Sequence, residues 1–368
     1  MLISKNIKRR GKRISLKTDI CGLLGIDYPI IQAGMAGGPT TAELVAEVSA
    51  AGGLGTLGAA YLTPDKLRQD IEDIRQKTDK PFAVNLFAPV PQDDFSRLDE
   101  VKQALQPIYQ ELAIDQPSVE YCSPDYGEEL FCICLEMNVP IISTAFGSLA
   151  PSHMASAKAQ GIKIITMVTT VGEALAAEEA GADAIVAQGS EAGGHRGSFS
   201  FDRHPMGAQV GLMALLPQVA DAVNVPVIAA GGITDGRGLV ASLVLGAQAV
   251  QIGTRFVGSK ESGAHKAYKQ AIFNSDEESA VVTKSFSGRP ARGINNRFIE
   301  QFEASGTKPL PFPSHNTVTK EIRGAAAKAG NPQFMSLWAG QATRGVTQEE
   351  SAAEIVSSVM EQARAFLR

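Results

Sequence analysis

The segment 188–197, with the sequence QGSEAGGHRG, concentrates the side chains of this chain that could do chemistry. It offers a carboxamide at Gln188, a carboxylate at Glu191 and an imidazole at His195, with four glycines among them. An imidazole can accept a carbon-bound proton near neutral pH, and glycine lets a backbone approach a ligand closely. Because the apolar run 184–187 precedes this segment, we predict a reactive loop that leaves a buried strand, with His195 as the catalytic candidate. A glycine-rich turn with a surface histidine would show the same spacing.

Carboxamides and glycines also stand at the ends of other apolar runs, where they are candidates for binding a cofactor. Asn85 and Gln188 interrupt such runs, and a carboxamide supplies the donors and the acceptor that the pyrimidine edge of a flavin requires. Backbone N–H groups near Gly231 and Gly253 could bind a phosphate. Each feature taken singly is equally typical of a satisfied polar group or a tight turn. The candidate cofactor-binding residues are Ala33, Gly34, Met35, Asn85, Gln188, Gly193, Gly194, Gly231, Gly232, Gln251, Ile252, Gly253 and Thr254.

The glycine spacing after the first apolar run indicates a mononucleotide rather than a dinucleotide. Gly34 and Gly37 do not have the G-x-G-x-x-G spacing of a Rossmann fingerprint. Met35 is predicted to pack in the protein, although its backbone could lie against a flavin ring. The remaining histidines are predicted to be surface residues at a helix start, in loops or in an inserted lid. They are His153, His204, His265 and His315.

The elements that would hold these residues alternate between short apolar strands and amphipathic helices. Strands are predicted at 29–35, 53–58, 82–87, 140–145, 163–168, 184–187, 225–230 and 249–254. Thr40 and Thr63 are predicted to cap the helices after the first two strands. Eight strand–helix units favour an α/β fold of the TIM (β/α)8 barrel type over an open doubly wound sheet. The candidate residues would then meet at the carboxyl-terminal mouth of the barrel.

Two segments break this alternation, and a final helix restores it. Prolines and charged, helix-like stretches occupy 88–139, and loop-rich polar sequence runs from about 259 to 346. After Thr347 an amphipathic helix returns, and its stripe of apolar residues marks it as the closing helix of the barrel. That stripe consists of Ile355, Val359, Met360 and Phe366. The predicted domains are a basic N-terminal extension at 1–19, a mononucleotide-binding barrel at 20–258 and 347–368, and an inserted lid at 259–346.

Composition is typical of a water-soluble globular protein. A chain of 368 residues with 44% hydrophobic content can bury a large core. The net charge of −5 argues against nucleic acid as a partner. The four cysteines fit neither a disulfide framework nor a zinc site, so no metal and a cytoplasmic location are predicted, with Cys132 and Cys134 as buried thiols. No apolar stretch has the length of a membrane span, and no oligomeric state is predicted.

Six motifs resemble those of the nitronate monooxygenases, formerly called 2-nitropropane dioxygenases. They are PIIQAGMAG at 29–37, QGSEAGGHRG at 188–197, AAGGI at 229–233, QIGTRF at 251–256, SGRPARG at 287–293 and LWAGQ at 337–341. The resemblance spans about residues 20–366 and is most specific in the block that contains His195. It implies a barrel that holds FMN on the candidate residues above. It further implies that molecular oxygen converts alkyl nitronates, with propionate 3-nitronate as a family-level substrate, into a carbonyl compound and nitrite.

The same resemblance implies that His195 is the base that deprotonates neutral nitroalkanes, and it leaves other functions open. Flavin-dependent enoyl-acyl-carrier-protein reductases carry a similar Gly-Gly-His block, but they need NAD(P)H to reduce the flavin. NAD(P)H:quinone reductases share the scaffold, and the fold alone does not decide among these activities. A non-catalytic flavin-binding or phosphate-binding barrel would keep the glycines without needing His195. The EAGGHRG form of the block and the WAGQ element favour the monooxygenase.

Overall fold

The computed structural model describes residues 14–88 and 91–368 of the chain. Residues 1–13, most of the predicted basic extension, and residues 89–90 lie outside the described residues. The strands of the described part are β1 (Ile30–Gln32), β2 (Gly55–Gly58), β3 (Phe82–Phe87), β4 (Ile141–Ala145), β5 (Lys163–Val168), β6 (Ala184–Gln188), β7 (Gly194–His195), β8 (Val227–Ala230), β9 (Ala249–Ile252), β10 (Ala280–Thr283) and β11 (Ala291–Ile294).

Helices are the other main regular elements of the described part. They are α1 (Asp19–Leu24), α2 (Ala42–Ala50), α3 (Pro64–Lys77), α4 (Leu98–Glu111), α5 (Gly127–Glu136), α6 (Pro151–Ala159), α7 (Val171–Glu179), α8 (Leu212–Ala222), α9 (Gly236–Val244), α10 (Thr254–Val257), α11 (Lys266–Phe273), α12 (Arg297–Ala304), α13 (Ser314–Val318), α14 (Lys320–Lys328) and α15 (Ala352–Phe366). Two short 3-10 turns lie at Pro332–Phe334 and Thr343–Gly345.

Eight parallel strands form the central barrel. Neighbours in the sheet follow the order β1, β9, β8, β6, β5, β4, β3, β2. A parallel bridge between Ile31 and Leu54, just before β2, brings the two ends of the sheet together. The N–H of Gln32 donates to the Leu54 carbonyl at 2.9 Å across this junction. The predicted (β/α)8 barrel is therefore confirmed.

Helix α1 covers the amino-terminal end of the barrel. Its residue Ile20 is fully buried and belongs to one apolar cluster with barrel residues such as Ile141 and Ile228. The Thr18 hydroxyl donates to the Gln248 carbonyl at 2.6 Å, which fixes the start of the helix on the barrel. Apolar packing thus occupies the centre of this end, and the opposite, carboxyl end of the strands is where barrels carry their sites.

The loop after β1 explains two differences from the predicted boundaries. The strand ends at Gln32 instead of residue 35, because the Met35 N–H donates to the Thr40 hydroxyl at 2.9 Å and turns the chain away from the sheet. The Thr40 hydroxyl is thus occupied, and Thr41 caps α2 instead by accepting the Leu44 N–H at 3.0 Å. The predicted cap at Thr63 is confirmed, with Pro64 in the first turn of α3.

The segment 259–346, predicted as an inserted lid and called the lid below, contains more regular structure than its loop-rich sequence predicts. It contains α11 to α14 together with β10 and β11. Its helices are amphipathic, so their average composition reads as polar although each buries one face. Phe298 and Phe302 of α12 form a common core with Leu105 and Ile108 of α4. The two segments that interrupt the strand–helix alternation therefore pack against each other.

Helix α15 follows a capping box formed by Ser351 and Glu354, and it is the last helix packed on the barrel. Val359 and Met360 are buried as predicted, but Phe366 is 59% exposed. The prediction for Phe366 is wrong because this residue lies in the last turn of the helix.

The cysteines and the helices bear on the predictions made from composition. Cys21 and Cys134 are buried, Cys132 is partly buried and Cys122 is exposed, so the burial predicted for Cys132 and Cys134 is complete only at Cys134. Over residues 14–88 and 91–368, no helix combines the length and apolarity needed to cross a bilayer. The same residues contain no group of three or more His, Cys, Asp or Glu side chains placed to hold a metal ion.

Candidate active site

A cavity of about 760 Å³ lies at the carboxyl ends of the barrel strands, between the barrel and the lid. His195 lines it, as do twelve of the thirteen candidate cofactor-binding residues. These twelve are Ala33, Gly34, Met35, Asn85, Gln188, Gly193, Gly194, Gly231, Gly232, Gln251, Gly253 and Thr254. Residues separated by more than 200 positions in the chain thus meet at one mouth.

Ile252 is the exception among the candidates. Its side chain is 1% exposed and belongs to the apolar cluster between the barrel strands and the surrounding helices. Successive side chains of a strand point to opposite faces, so Gln251 lines the cavity while Ile252 packs outward. The carbonyl of Ile252 accepts the Ala33 N–H at 2.9 Å, which is a structural contact. The side chain of Ile252 therefore does not line the cavity, and a part for this residue in binding a cofactor stays a prediction.

The loop that carries His195 is held by internal hydrogen bonds. The Gln188 carboxamide donates to the His195 carbonyl at 3.0 Å and accepts the Gly197 N–H at 2.8 Å. Buried Arg196 donates to the carbonyls of Gly189 at 2.7 Å and Ala208 at 3.0 Å. Gln188 therefore positions the loop with its oxygen and one of its N–H bonds, and it keeps a second N–H for the cavity.

The lid fixes the backbone of His195 as well. The short strand β7 pairs with β11 of the lid, and Ala291 lies opposite His195. The N–H of Arg196 donates to the Pro290 carbonyl at 2.8 Å. Since β7 lies outside the barrel sheet, the lid, rather than the barrel, pairs with the strand that carries the imidazole.

The His195 ring lies among aromatic side chains and forms a hydrogen bond with one hydroxyl. Its Nε2 is 2.8 Å from the Oγ of Ser287 in the lid. The ring centroids of Trp338, Phe146 and Phe312 lie 5.4, 5.9 and 6.0 Å from that of His195. Three of these four neighbours belong to the lid. The imidazole is thus held among aromatic rings that the barrel and the lid both contribute.

Electrostatics keep the His195 ring neutral. Burial, together with the positive charges of Arg289 and Arg323, lowers the pKa of His195 from its usual 6.5 to about 3. Arg289 lies between the rings of Phe146 and Phe201, with its guanidinium carbon 3.5 and 4.6 Å from their centroids. A neutral imidazole has one nitrogen that can accept a proton and one that donates a hydrogen bond.

The glycines of the site serve different purposes. Gly231 and Gly232 both have positive φ, 122° and 66°, which side chains rarely adopt. Gly194 has no atom within 4 Å of the position of an added Cβ, so its missing side chain leaves the cavity open. A Cβ at Gly193 would lie 2.5 Å from the backbone of Gly340. Gly193 therefore permits close contact between the reactive loop and the lid, a role that its sequence position did not reveal.

The polar candidates at the strand ends are also tied into the wall. Asn85 is 8% exposed, and its side-chain amide donates to the Ser143 hydroxyl at 2.9 Å. The Thr254 hydroxyl accepts the Gly340 N–H at 3.0 Å, which joins the end of β9 to the lid. Both groups keep capacity for a further hydrogen bond on the cavity side, since an amide oxygen and a hydroxyl proton are not used in these bonds.

Several cavity residues were not predicted from the sequence. Phe146 has φ of 76°, an unusual backbone conformation for a bulky residue, directly after β4. Tyr61 and Arg323 line the cavity together with Ser336 and Lys320 at the lid side. Glu191, to which no role was assigned, accepts the Leu212 N–H and so caps α8. Among the sequence motifs, only the one at 337–341 indicated the lid side of the cavity. It contains Trp338, which is the one tryptophan of the chain.

One of the other four histidines, His315, differs from its predicted surface position, whereas His265 is exposed as predicted. His315 is fully buried and forms a hydrogen bond with the Ser285 carbonyl at 2.7 Å. His265 caps α11 and lies at the rim of the cavity. His153 is in the first turn of α6, beside Glu128 on the outside of the barrel. His204 is exposed, so His195 alone occupies the inner wall.

Comparison with known proteins agrees with this geometry. A family model described as nitronate monooxygenase matches residues 17–362. A probable nitronate monooxygenase of Staphylococcus saprophyticus is 44% identical over 357 residues, which cover 96% of this chain and 99% of that protein. A probable nitronate monooxygenase of Staphylococcus aureus strain Newman is 43% identical over 347 residues, covering 94% of this chain and 97% of that protein.

Solved structures show the same relationship. Nitroalkane oxidase from Streptomyces ansochromogenes superposes with a TM-score of 0.88 at 37% identity, over 94% of this chain and 100% of that chain. FabK from Thermotoga maritima follows with a TM-score of 0.74 at 31% identity, over 96% of this chain and 98% of that chain. The family model, the identities and the shared barrel fold lead to one conclusion: the chain belongs to the nitronate monooxygenase family of oxidoreductases, which generally depend on a flavin.

Proposed function

We propose that the protein oxidises alkyl nitronates with molecular oxygen to a carbonyl compound and nitrite, using FMN. The observation that carries this proposal is the convergence of His195, the two carboxamides and the paired glycines on one cavity. His195 would act as the base for neutral nitroalkanes. Membership in the nitronate monooxygenase family supports the reaction type.

The cavity fits FMN in size and chemistry. Its volume of about 760 Å³ lies within the roughly 300–1,000 Å³ usual for cofactor clefts. Gly194 provides open space in the wall, and Asn85 and Gln188 present amide groups toward it. Gly231 and Thr254 follow two neighbouring barrel strands, at the place where barrels commonly bind phosphate. These residues would hold the FMN, with its phosphate between the ends of β8 and β9.

The chain's own residues would place and deprotonate the substrate. The bound flavin supplies the electron acceptor that links the nitronate to oxygen. A neutral His195 can take the carbon-bound proton of a nitroalkane, and the anion that forms would offset the charges of Arg289 and Arg323 and raise the pKa of the ring. A nitronate has already lost that proton, so it would meet the imidazole only as a hydrogen-bond partner.

The lid side of the cavity favours substrates that carry a second negative charge. Arg323 donates to the Asn316 side-chain carbonyl at 2.9 Å, and its Nε is buried without a hydrogen-bond partner. Burial lowers the pKa of Arg323, and the group that counters this effect is the phenol of Tyr61 rather than a carboxylate. A partly buried cation without a carboxylate partner is stabilised when an anion binds it. Lys320 lies nearby at the rim, so propionate 3-nitronate fits this arrangement.

Nitrite release tests the proposal. We expect the purified protein, loaded with FMN, to release nitrite from ethylnitronate in air without NAD(P)H, and to release none under nitrogen. A parallel assay uses NADPH together with an enoyl thioester or a quinone in place of the nitronate. Turnover that needs NADPH and leaves nitronates untouched would contradict the proposal and select a reductase instead.

A further inference from the structure

Ser287 of the lid is placed to decide which nitrogen of His195 carries the proton. The serine is 1% exposed, and its Oγ has three polar neighbours. It lies 2.8 Å from His195 Nε2, 3.1 Å from the Arg289 carbonyl oxygen and 3.3 Å from the Arg289 nitrogen. A hydroxyl has one proton to donate and two lone pairs to accept with.

Only one arrangement satisfies all these groups at once. The Arg289 N–H can only donate, so it uses one lone pair of Ser287 Oγ. If the hydroxyl proton goes to the Arg289 carbonyl, the second lone pair accepts a proton from His195 Nε2. If the proton instead went to His195, the hydroxyl would give up its bond to the buried Arg289 carbonyl, which carries a penalty. The first arrangement requires His195 to be protonated on Nε2.

The other ring nitrogen then has a distinct role. Nδ1 of His195 has no hydrogen-bond partner in the described part of the chain, and it is not among the buried polar atoms left unpaired there. The ring lines the cavity. In the Nε2–H form, Nδ1 is unprotonated and available to a ligand in the cavity.

We propose that Ser287 is a positioning residue that holds His195 in the Nε2–H form, so that Nδ1 is the nitrogen that accepts the substrate proton. The kinetic part of this inference rests on the proposed function; the tautomer itself does not. Ser287 belongs to the lid and lies 92 residues from His195 in the chain. The lid would therefore take part in the chemistry besides covering the cavity. Pairing of β7 with β11 fixes the backbone, and Ser287 fixes the ring.

Nitrogen-15 NMR of the FMN-loaded protein, labelled at histidine, tests the tautomer directly. The signals of His195 are identified by their loss in His195→Asn. We expect a protonated Nε2 and an unprotonated Nδ1 at neutral pH in the native protein. Ser287→Ala should show both tautomers, whereas Ser287→Thr, which keeps the hydroxyl, should restore the native pattern. A native protein protonated on Nδ1, or an unchanged pattern in Ser287→Ala, overturns the proposal.

Kinetics supply the second readout. In Ser287→Ala, kcat/KM for neutral nitroethane should fall about 10-fold and that for ethylnitronate by less than about 2-fold, because only the first substrate needs the base. Ser285→Ala is the matched control, since Ser285 is equally buried in the lid and bonds Thr283 and Glu303 rather than His195. It should keep the native ratio. Equal losses on both substrates in Ser287→Ala overturn the positioning role, whereas absence of all nitronate oxidation in the native protein defeats the proposed function and leaves the NMR result to decide the tautomer.

Discussion

The barrel and the lid contribute different things to the same cavity. Barrel strand ends supply the carboxamides and paired glycines, held by a parallel sheet whose order is fixed by hydrogen bonds between neighbouring strands. The lid supplies the surroundings of the imidazole, with Ser287, Phe312 and Trp338 around His195. This division indicates that flavin binding and proton transfer by His195 depend on different parts of the molecule. Changes in the barrel wall should alter flavin binding, and changes at the lid contact should alter what His195 does.

Removing the imidazole should have the largest effect and should separate the two contributions most clearly. We expect His195→Asn to retain bound FMN and to lower kcat/KM for neutral nitroethane by about 100-fold or more, the usual contribution of a general base. Oxidation of ethylnitronate should suffer much less. Steady-state kinetics with both substrates, at matched flavin content, measure this. Equal losses on the two substrates would contradict the role of His195 as a base.

Adjacent glycines in the reactive loop allow the two regions to be disturbed one at a time. Gly193→Ala should lower the free energy of unfolding by about 1–3 kcal/mol, because the added methyl group meets the lid backbone. Gly194→Ala meets no atom but has φ of 75°, so about 1–2 kcal/mol of backbone strain and a smaller cavity are expected. Thermal unfolding and FMN titration of both variants test the contrast. Gly194→Ala should weaken FMN binding more than Gly193→Ala does, and the reverse order would contradict the assignment of the two glycines.

Removing the charge of Arg323 should affect one class of substrate only. We expect Arg323→Gln to raise KM for propionate 3-nitronate about 10-fold, the loss of one charged hydrogen bond, while KM for ethylnitronate stays the same. Lys328→Gln is the control, because Lys328 is an exposed cation at the far end of the same helix. A similar rise for both nitronates would place the role of Arg323 elsewhere.

The pH dependence of stability should show the smallest effect. Burial lowers the pKa of His195 to about 3 and that of His315 to about 4, from 6.5 for both. Above pH 6.5 both residues are neutral in the folded and unfolded chain. As the pH falls below 6.5 the unfolded chain binds protons that the folded chain does not, so the free energy of unfolding decreases down to about pH 4.

Denaturant unfolding between pH 7 and 4 measures this slope. His195→Asn should make the slope shallower, and His204→Asn, which changes an exposed histidine, should not. A slope that is identical in the native protein and in His195→Asn would show that the imidazole is not buried in its neutral form.

The parts of the site that could be predicted from the sequence are those set by local pattern. The periodicity of apolar residues places the candidate residues at the carboxyl ends of strands. A parallel barrel brings those ends together at one mouth. The prediction took every residue of the run 251–254 as a cavity residue. Side chains alternate along a strand, so the side chain of Ile252 points away from the cavity. Gly193 was correctly placed at the cavity, but its contact with Gly340 required knowledge of the lid.

The surroundings of His195 could not be predicted in this way. Ser287 is 92 residues from His195 in the chain, and nothing in the spacing of its motif indicates that the two side chains meet. The helices of the lid are hard to predict from the sequence because amphipathic helices that bury one narrow face are polar on average. Its core depends on α4, more than 150 residues earlier in the chain. Long-range packing of this kind leaves no local signal.

Anaerobic mixing of the FMN-loaded protein with ethylnitronate, followed through the visible absorbance of the flavin, tests the central claim most directly. The account predicts that the nitronate bleaches the flavin at a rate that matches turnover in air, and that NADPH does not. A flavin that stays oxidised with the nitronate and is bleached by NADPH at the rate of turnover would contradict it.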